Sequence, residues 1–191
     1  MPGLRRTRSN RHRILDANMS TIRHHRHGRI APLWALAALS MMGTAFVLPA
    51  RPWLVWNATA SAPIGLYRLS SDAPKQGDFA LAEAPASARE LAAKRGYLPA
   101  DVPLVKRIAA AEGDTICAQA DRILINGELI ARRLAMDSKR RALPAWTGCR
   151  TLGKDDVFLL MASVPTSFDG RYFGVTQRAC LIGKLVPVWT D

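Results

Sequence analysis

Residues 122–130 read Arg-Ile-Leu-Ile-Asn-Gly-Glu-Leu-Ile, two apolar runs joined by Asn126-Gly127. An Asn-Gly pair tolerates the positive φ angles that a two-residue hairpin turn demands, so this segment is predicted to be a β-hairpin. The same short, punctuated patterning continues outward on both sides. Residues 65–69 and 78–82 are strand candidates, separated by the turn signal Pro74-Lys75-Gln76-Gly77. Residues 104–109, 157–161 and 181–189 are three more. Pro187 has no N–H to give to a ladder, which places the last strand at a sheet edge. One stretch breaks the pattern: residues 86–95 (ASARELAAKR), closed by Gly96, read as a short helix with a glycine stop. No internal repeat or heptad is present. Residues 51–191 are therefore expected to form one mainly β domain.

Toward the N-terminus the character changes. Residues 30–50 (IAPLWALAALSMMGTAFVLPA) are 21 residues without a charge. As a helix they would extend about 31 Å, the thickness of a bilayer's hydrocarbon core. Arg29 and Arg51 bracket the run, and Trp34 and Trp53 stand where interfacial anchors do. The chain's 191 residues carry a formal charge of +12. Residues 1–29 hold eight Arg against one acid, Asp16, and so account for +7 of it. That asymmetry predicts a basic cytosolic tail over 1–29, a single transmembrane helix over 30–50, and residues 51–191 on the outer side of the membrane. Ala58-Thr59-Ala60 has the small-x-small form of a cleavage site, so a removed signal peptide is the alternative, and Met19 offers a second start.

All four histidines, His12, His24, His25 and His27, lie in the basic tail. Imidazole bases and His-based zinc sites are thereby excluded from the rest of the chain. The three cysteines form no CxxC. A disulfide between Cys117 and Cys149 would close the hairpin and leave Cys180 odd; three free thiols are the alternative. Chemistry then falls to Ser, Lys, Asp or Glu. Ser61 sits in a loop of small residues some ten positions beyond the apolar run. Lys106, in Val105-Lys106-Arg107-Ile108, shares a strand face with Leu104 and Ile108 while Arg107 points the other way. An ammonium on an apolar face is costly, and burial favours the neutral amine that a general base requires.

These segments together resemble the type I signal peptidase (leader peptidase) family of Ser-Lys proteases. Thr59-Ala60-Ser61-Ala62-Pro63 resembles the family's serine loop, and Val105-Lys106-Arg107-Ile108 running to Gly113-Asp114 its lysine strand. Ser167-Phe168-Asp169-Gly170-Arg171-Tyr172-Phe173-Gly174 resembles a third box. The spelling Ser-x-Pro-x-Gly-Leu-Tyr over 61–67, the Arg95-Gly96-Tyr97-Leu98-Pro99 insert and Trp146-Thr147-Gly148-Cys149 are most similar to the TraF-type conjugative-transfer branch. The resemblance implies a signal-peptidase-like antiparallel β domain with one short helix, preceded by a single N-terminal transmembrane helix. It implies Ser61 as nucleophile, Lys106 as general base, and an oxyanion hole made by the Ser61 N–H and the Thr59 hydroxyl. Ser167 matches a residue that hydrogen-bonds the lysine, and Asp169 and Arg171 match a supporting pair, read here as a salt-bridged brace.

The chain departs from leader peptidases at three places: Ala62 where Met is frequent, Ala162-Ser163-Val164-Pro165-Thr166 where a Gly-Asp-Asn-Arg-Asp run is found, and Gly170 where Ser is usual. The first two favour the specialised branch. The implied substrate is a preprotein or propilin whose leader lies in the same membrane, cut by hydrolysis or joined to its own N-terminus. The implied partners are that substrate and the lipid bilayer, with no nucleic acid, metal or organic cofactor. A non-enzymatic membrane-anchored periplasmic β module of a conjugation or secretion apparatus would share the topology without needing a reactive serine. A DNA-binding regulator would account for the charge but lacks a helix-turn-helix pattern.

Overall fold

The computed structural model describes Trp34 and residues 53–190. The expected basic tail and membrane anchor, residues 1–29 and 30–50, otherwise lie outside the described residues. Among the described residues no helix is long and apolar enough to cross a membrane. The backbone divides into residues 1–51 and 52–191, and the second unit is described below.

Eleven strands and two short helices are described in this unit: β1 (Leu54–Asn57), β2 (Gly65–Ser70), β3 (Phe79–Ala82), α1 (Ala86–Arg95), β4 (Leu104–Ala110), β5 (Thr115–Gln119), β6 (Arg122–Ile125), β7 (Glu128–Arg132), β8 (Gly148–Thr151), β9 (Asp156–Leu159), α2 (Gly170–Phe173), β10 (Thr176–Gln177) and β11 (Leu181–Thr190). A 3₁₀ turn, Arg178–Cys180, leads into β11. Seven strands form one sheet in the order β1-β2-β11-β3-β4-β9-β10, and four form another in the order β7-β6-β5-β8. All neighbouring pairs are antiparallel. The fold is mainly β.

The β6–β7 hairpin turns on Asn126 and Gly127, with φ of 52° and 84°, the paired positive angles of a type I′ turn. Helix α1 covers the span expected from its composition and ends at Gly96. A second helix, the single turn α2, joins the one that the sequence suggested. Asp169 caps it, accepting from the Arg171 N–H at 3.2 Å.

Strand β11 corrects the expectation drawn from Pro187. It lies inside the large sheet, pairing with β3 through Leu181–Leu185 and with β2 through Lys184–Thr190. Proline is tolerated because Pro187 falls in the half that β2 alone pairs, beside a bulge between Pro187 and Trp189.

Between and around the sheets the core divides into packed groups. Ile116, Ala118, Ile123, Phe158 and Leu160 join the small sheet to β9. Tyr67, Leu81, Val105, Met161 and Leu185 fill the space beneath the residue 58–64 loop, where Ala62 packs with them. Ala88 of α1 seats on Leu104, flanked by Leu98, Phe168 and Phe173. Cys117 and Cys149 are register partners on β5 and β8 and form a disulfide, while Cys180 is free. At the free edge of the large sheet, Trp56 of β1 stacks on Trp189 of β11, and both are more than half exposed.

Candidate active site

Strand β4 supplies one half of the site. Its pattern alternates from Lys106 onward, with Lys106 and Ile108 buried and Arg107 turned out to lie over the Phe79 ring, 4.4 Å from its centroid. Lys106 pairs across to Ala80 of β3, whose small side chain leaves room for a long one. The lysine is 1% exposed. Burial pushes its ammonium down from the ordinary lysine value to about 8; the Asp169 carboxylate pulls it upward and the Arg171 guanidinium pushes it down.

The loop between β1 and β2 supplies the other half. It carries Ser61 to within 2.8 Å of Lys106, Oγ to Nζ, and Lys106 also donates to the Ser61 carbonyl at 3.2 Å. The Thr59 hydroxyl lies 3.0 Å from Ser61 Oγ. Thr59, Ser61 and Lys106, three residues singled out in the sequence, thus meet in one place although 45 positions separate Ser61 from Lys106. Sequence reasoning assigned no role to Asn57 or Tyr67. Both are buried behind the serine loop, and each donates a hydrogen bond to the Pro63 carbonyl. An Asn closing the apolar run Leu54-Val55-Trp56 was the available signal.

Asp169 and Arg171 form a fully buried ion pair, Arg171 Nε donating to Asp169 Oδ1 at 2.8 Å. The pair is hydrogen-bonded on every side. Asp169 accepts from the Met161 N–H at 3.0 Å. Arg171 donates to the carbonyls of Met161 at 2.8 Å, Val164 at 3.1 Å, Pro165 at 3.0 Å and Arg132 at 3.3 Å. These contacts make the two residues a brace for the 161–165 segment. Ser167 departs from its expected part. Its Oγ is fully buried without a hydrogen-bond partner among the described residues, and the hydrogen bonds of Lys106 go to Ser61 instead. The chain turn from Val164 to Ser167 N–H at 3.1 Å fixes its backbone, but its hydroxyl does not reach the lysine.

Gly170 has a local cause. A Cβ there would stand 2.7 Å from the Leu159 carbonyl and 2.7 Å from the Phe158 ring, and the Gly170 carbonyl accepts from Trp146 Nε1 at 2.9 Å. Gly170→Ala is expected to lower stability by about 1–3 kcal/mol through overpacking, read as a fall in melting temperature. A variant melting with the wild type would show that the neighbouring backbone gives way freely.

A cavity of about 650 Å³ opens beside Ser61. Its walls are mostly apolar, including Leu54, Leu81, Leu104, Val105, Leu134 and Phe168. Tyr97 and Asp137 are among its few polar walls; the carboxylate of Asp137 accepts from the Tyr97 hydroxyl and from Arg141 Nε, fastening the 95–99 insert to the 133–143 segment. An extended apolar cavity of this kind, open beside the Ser61 hydroxyl, can take an unfolded peptide with small or apolar side chains.

Residues 27–190 match the model of a protein family described as signal peptidase, peptidase S26. The chain belongs to that family. It is 33% identical over 164 residues to a plasmid transfer protein TraF of Escherichia coli, covering 81% of this chain and 90% of that protein. It is 34% identical over 145 residues to a conjugal transfer protein TraF of Agrobacterium fabrum, covering 70% of this chain and 81% of that one. Among solved structures it is similar to a signal peptidase I from Enterococcus faecalis, at 22% identity and a TM-score of 0.37 over 61% of this chain and 100% of that one. Membership of the signal peptidase family makes the chain a serine peptidase of the leader-peptidase type.

Proposed function

We propose that this signal peptidase family member is a membrane-anchored serine endopeptidase that removes leader sequences from exported preproteins, with Ser61 as nucleophile and Lys106 as general base. One observation carries this reading: a lysine that is 1% exposed, with no carboxylate within salt-bridge distance among the described residues, ends 2.8 Å from the hydroxyl of Ser61. With its titration near 8, about a tenth of the lysine is neutral at pH 7. Neutral Lys106 takes the proton of Ser61 as Oγ attacks the scissile carbonyl carbon. The carbonyl π electrons move to oxygen, where the Ser61 N–H and the Thr59 hydroxyl would receive the charge. Protonated Lys106 then gives its proton to the leaving amine as the peptide C–N bond breaks, leaving an acyl-serine. Water, deprotonated by the same lysine, or the substrate's own N-terminal amine releases the product.

The TraF relatives are named for plasmid and conjugal transfer, which supports a role in conjugation; the substrate in this proposal is a conjugative pilin. The basic tail in the cytoplasm, the anchor over 30–50 and the catalytic domain in the periplasm complete the proposal. Enzyme and leader in one bilayer would share a high effective concentration and a fixed depth of cleavage. Coexpression of a propilin with Ser61→Ala is expected to leave the propilin uncut, read by mass spectrometry of the membrane fraction. Mature or cyclic pilin in amounts equal to those made by the wild type would overturn the reading.

A further inference from the structure

The loop that carries Ser61 has little core of its own. Residues 58–60 are exposed and only Ala62 is buried. Its shape is held from inside by one side chain. Asn57, 6% exposed at the end of β1, donates from Nδ2 to the carbonyls of Thr59 at 3.0 Å, Ala62 at 3.2 Å and Pro63 at 2.9 Å. Its Oδ1 accepts from the Thr59 N–H at 3.3 Å and from Thr59 Oγ1 at 3.1 Å. Three acceptors at one end and two donors at the other fix the orientation of the carboxamide, since reversing it would set oxygen against three carbonyls.

The Thr59 hydroxyl has one proton and more than one claimant. At rest, Asn57 Oδ1 and Ser61 Oγ, at 3.1 Å and 3.0 Å, compete for it. A proton given to Ser61 would occupy a lone pair on the attacking oxygen. A proton held by Asn57 leaves that lone pair free and stays within one rotation about the Thr59 Cβ–Oγ1 bond from the serine. Once an oxyanion forms, its full charge makes it a stronger acceptor than the amide oxygen, and the hydroxyl can turn to it.

On the reading of Ser61 and Lys106 given above, we propose that Asn57 is a positioning residue of the reaction: its carboxamide holds the nucleophile loop in place and parks the Thr59 hydroxyl proton until charge develops on the substrate carbonyl. The role concerns the rate of the chemical step more than the binding of the leader.

The test uses the full-length protein in detergent and a quenched fluorogenic peptide with a small-x-small cleavage site. Asn57→Ala is expected to lower kcat about 100-fold with KM changed less than about threefold, and Thr59→Val to act similarly. The double variant is expected to fall within about tenfold of the worse single one, because both changes remove the same delivered proton. A kcat for Asn57→Ala within about threefold of the wild type, or losses that multiply fully in the double variant, would overturn the proposal. Asn57→Ser keeps a short polar side chain that can still donate to a loop carbonyl, so it serves where the alanine variant fails to fold. It is expected to lose about 100-fold in kcat with KM changed less than about threefold. A kcat within about threefold of the wild type there would count against the role of Asn57. Ser61→Ala is measured alongside. Cleavage that persists there refutes the Ser61 reading itself, whereas its loss there with undiminished kcat in the Asn57 variants refutes only the positioning role.

Discussion

Lys106→Met is expected to abolish cleavage, with kcat down on the order of 10⁴-fold or more, while the protein stays folded. Methionine has nearly the length of lysine and fills the same slot against β3, but it has no lone pair of comparable basicity. The fold should tolerate it, because Lys106 is 1% exposed and its hydrogen bonds among the described residues go to Ser61, with no salt bridge there to break. Lys106→Arg is expected to be just as inactive, since a guanidinium stays protonated at any working pH. In the wild type, kcat/KM should rise with pH and level off above about 8, where burial has placed the lysine's titration. Stability follows the same group. The folded state releases its proton near 8 and the unfolded chain only near the usual lysine value, so between those limits the unfolded state binds more protons. Stability therefore rises with pH across that window, and the Lys106→Met variant should lose that rise. Activity in Lys106→Met above about one hundredth of wild type would remove the lysine from the mechanism.

The second large effect concerns folding. Arg171→Met is expected to destabilise the domain by about 3–5 kcal/mol, because it strands the buried Asp169 carboxylate without its cation. The melting temperature should drop on the order of 10 °C. A simple buried ion pair can be replaced as a unit by apolar residues with little loss. This pair should not behave so, because Arg171 also donates to the carbonyls of Arg132, Met161, Val164 and Pro165. The double variant Asp169→Leu/Arg171→Met is expected to recover only part of the loss, since those carbonyls stay unpaired. Full recovery in a thermal melt would show that the carbonyl contacts contribute nothing.

What the sequence revealed, and what it hid, follows from how local each feature is. The β6–β7 hairpin was legible because Asn126-Gly127 dictates its turn, and α1 because a run without β-branched residues ends at a glycine. The face of Lys106 was legible from period-two alternation. Strand β8 was not, since all four of its residues are exposed and it is held by pairing with β5 and by the disulfide. Strand β1 was hidden for a related reason: Leu54 and Trp56 face outward, which inverts the usual pattern. The central place of β11 depends on β2 and β3, roughly a hundred residues earlier, and Pro187 alone pointed the wrong way. In the site, the meeting of Ser61 with Lys106 followed from a resemblance of ordered motifs. The isolation of the Ser167 hydroxyl and the reach of Asn57 are matters of side-chain direction, which spacing does not encode.

The brace has an evolutionary corollary. Every partner of the Arg171 guanidinium other than Asp169 is a main-chain oxygen, and Asp169 takes the Met161 amide in the same manner. Residues 132, 161, 164 and 165 are therefore gripped by where they are, not by what they are. A lineage that keeps Asp169 and Arg171 can respell the segment between Met161 and Ser167 without dismantling the floor of the site. Ala162-Ser163-Val164-Pro165-Thr166 is one spelling that this main-chain grip accommodates. Side-chain substitutions along the stretch are expected to leave the grip intact as long as Asp169 and Arg171 remain.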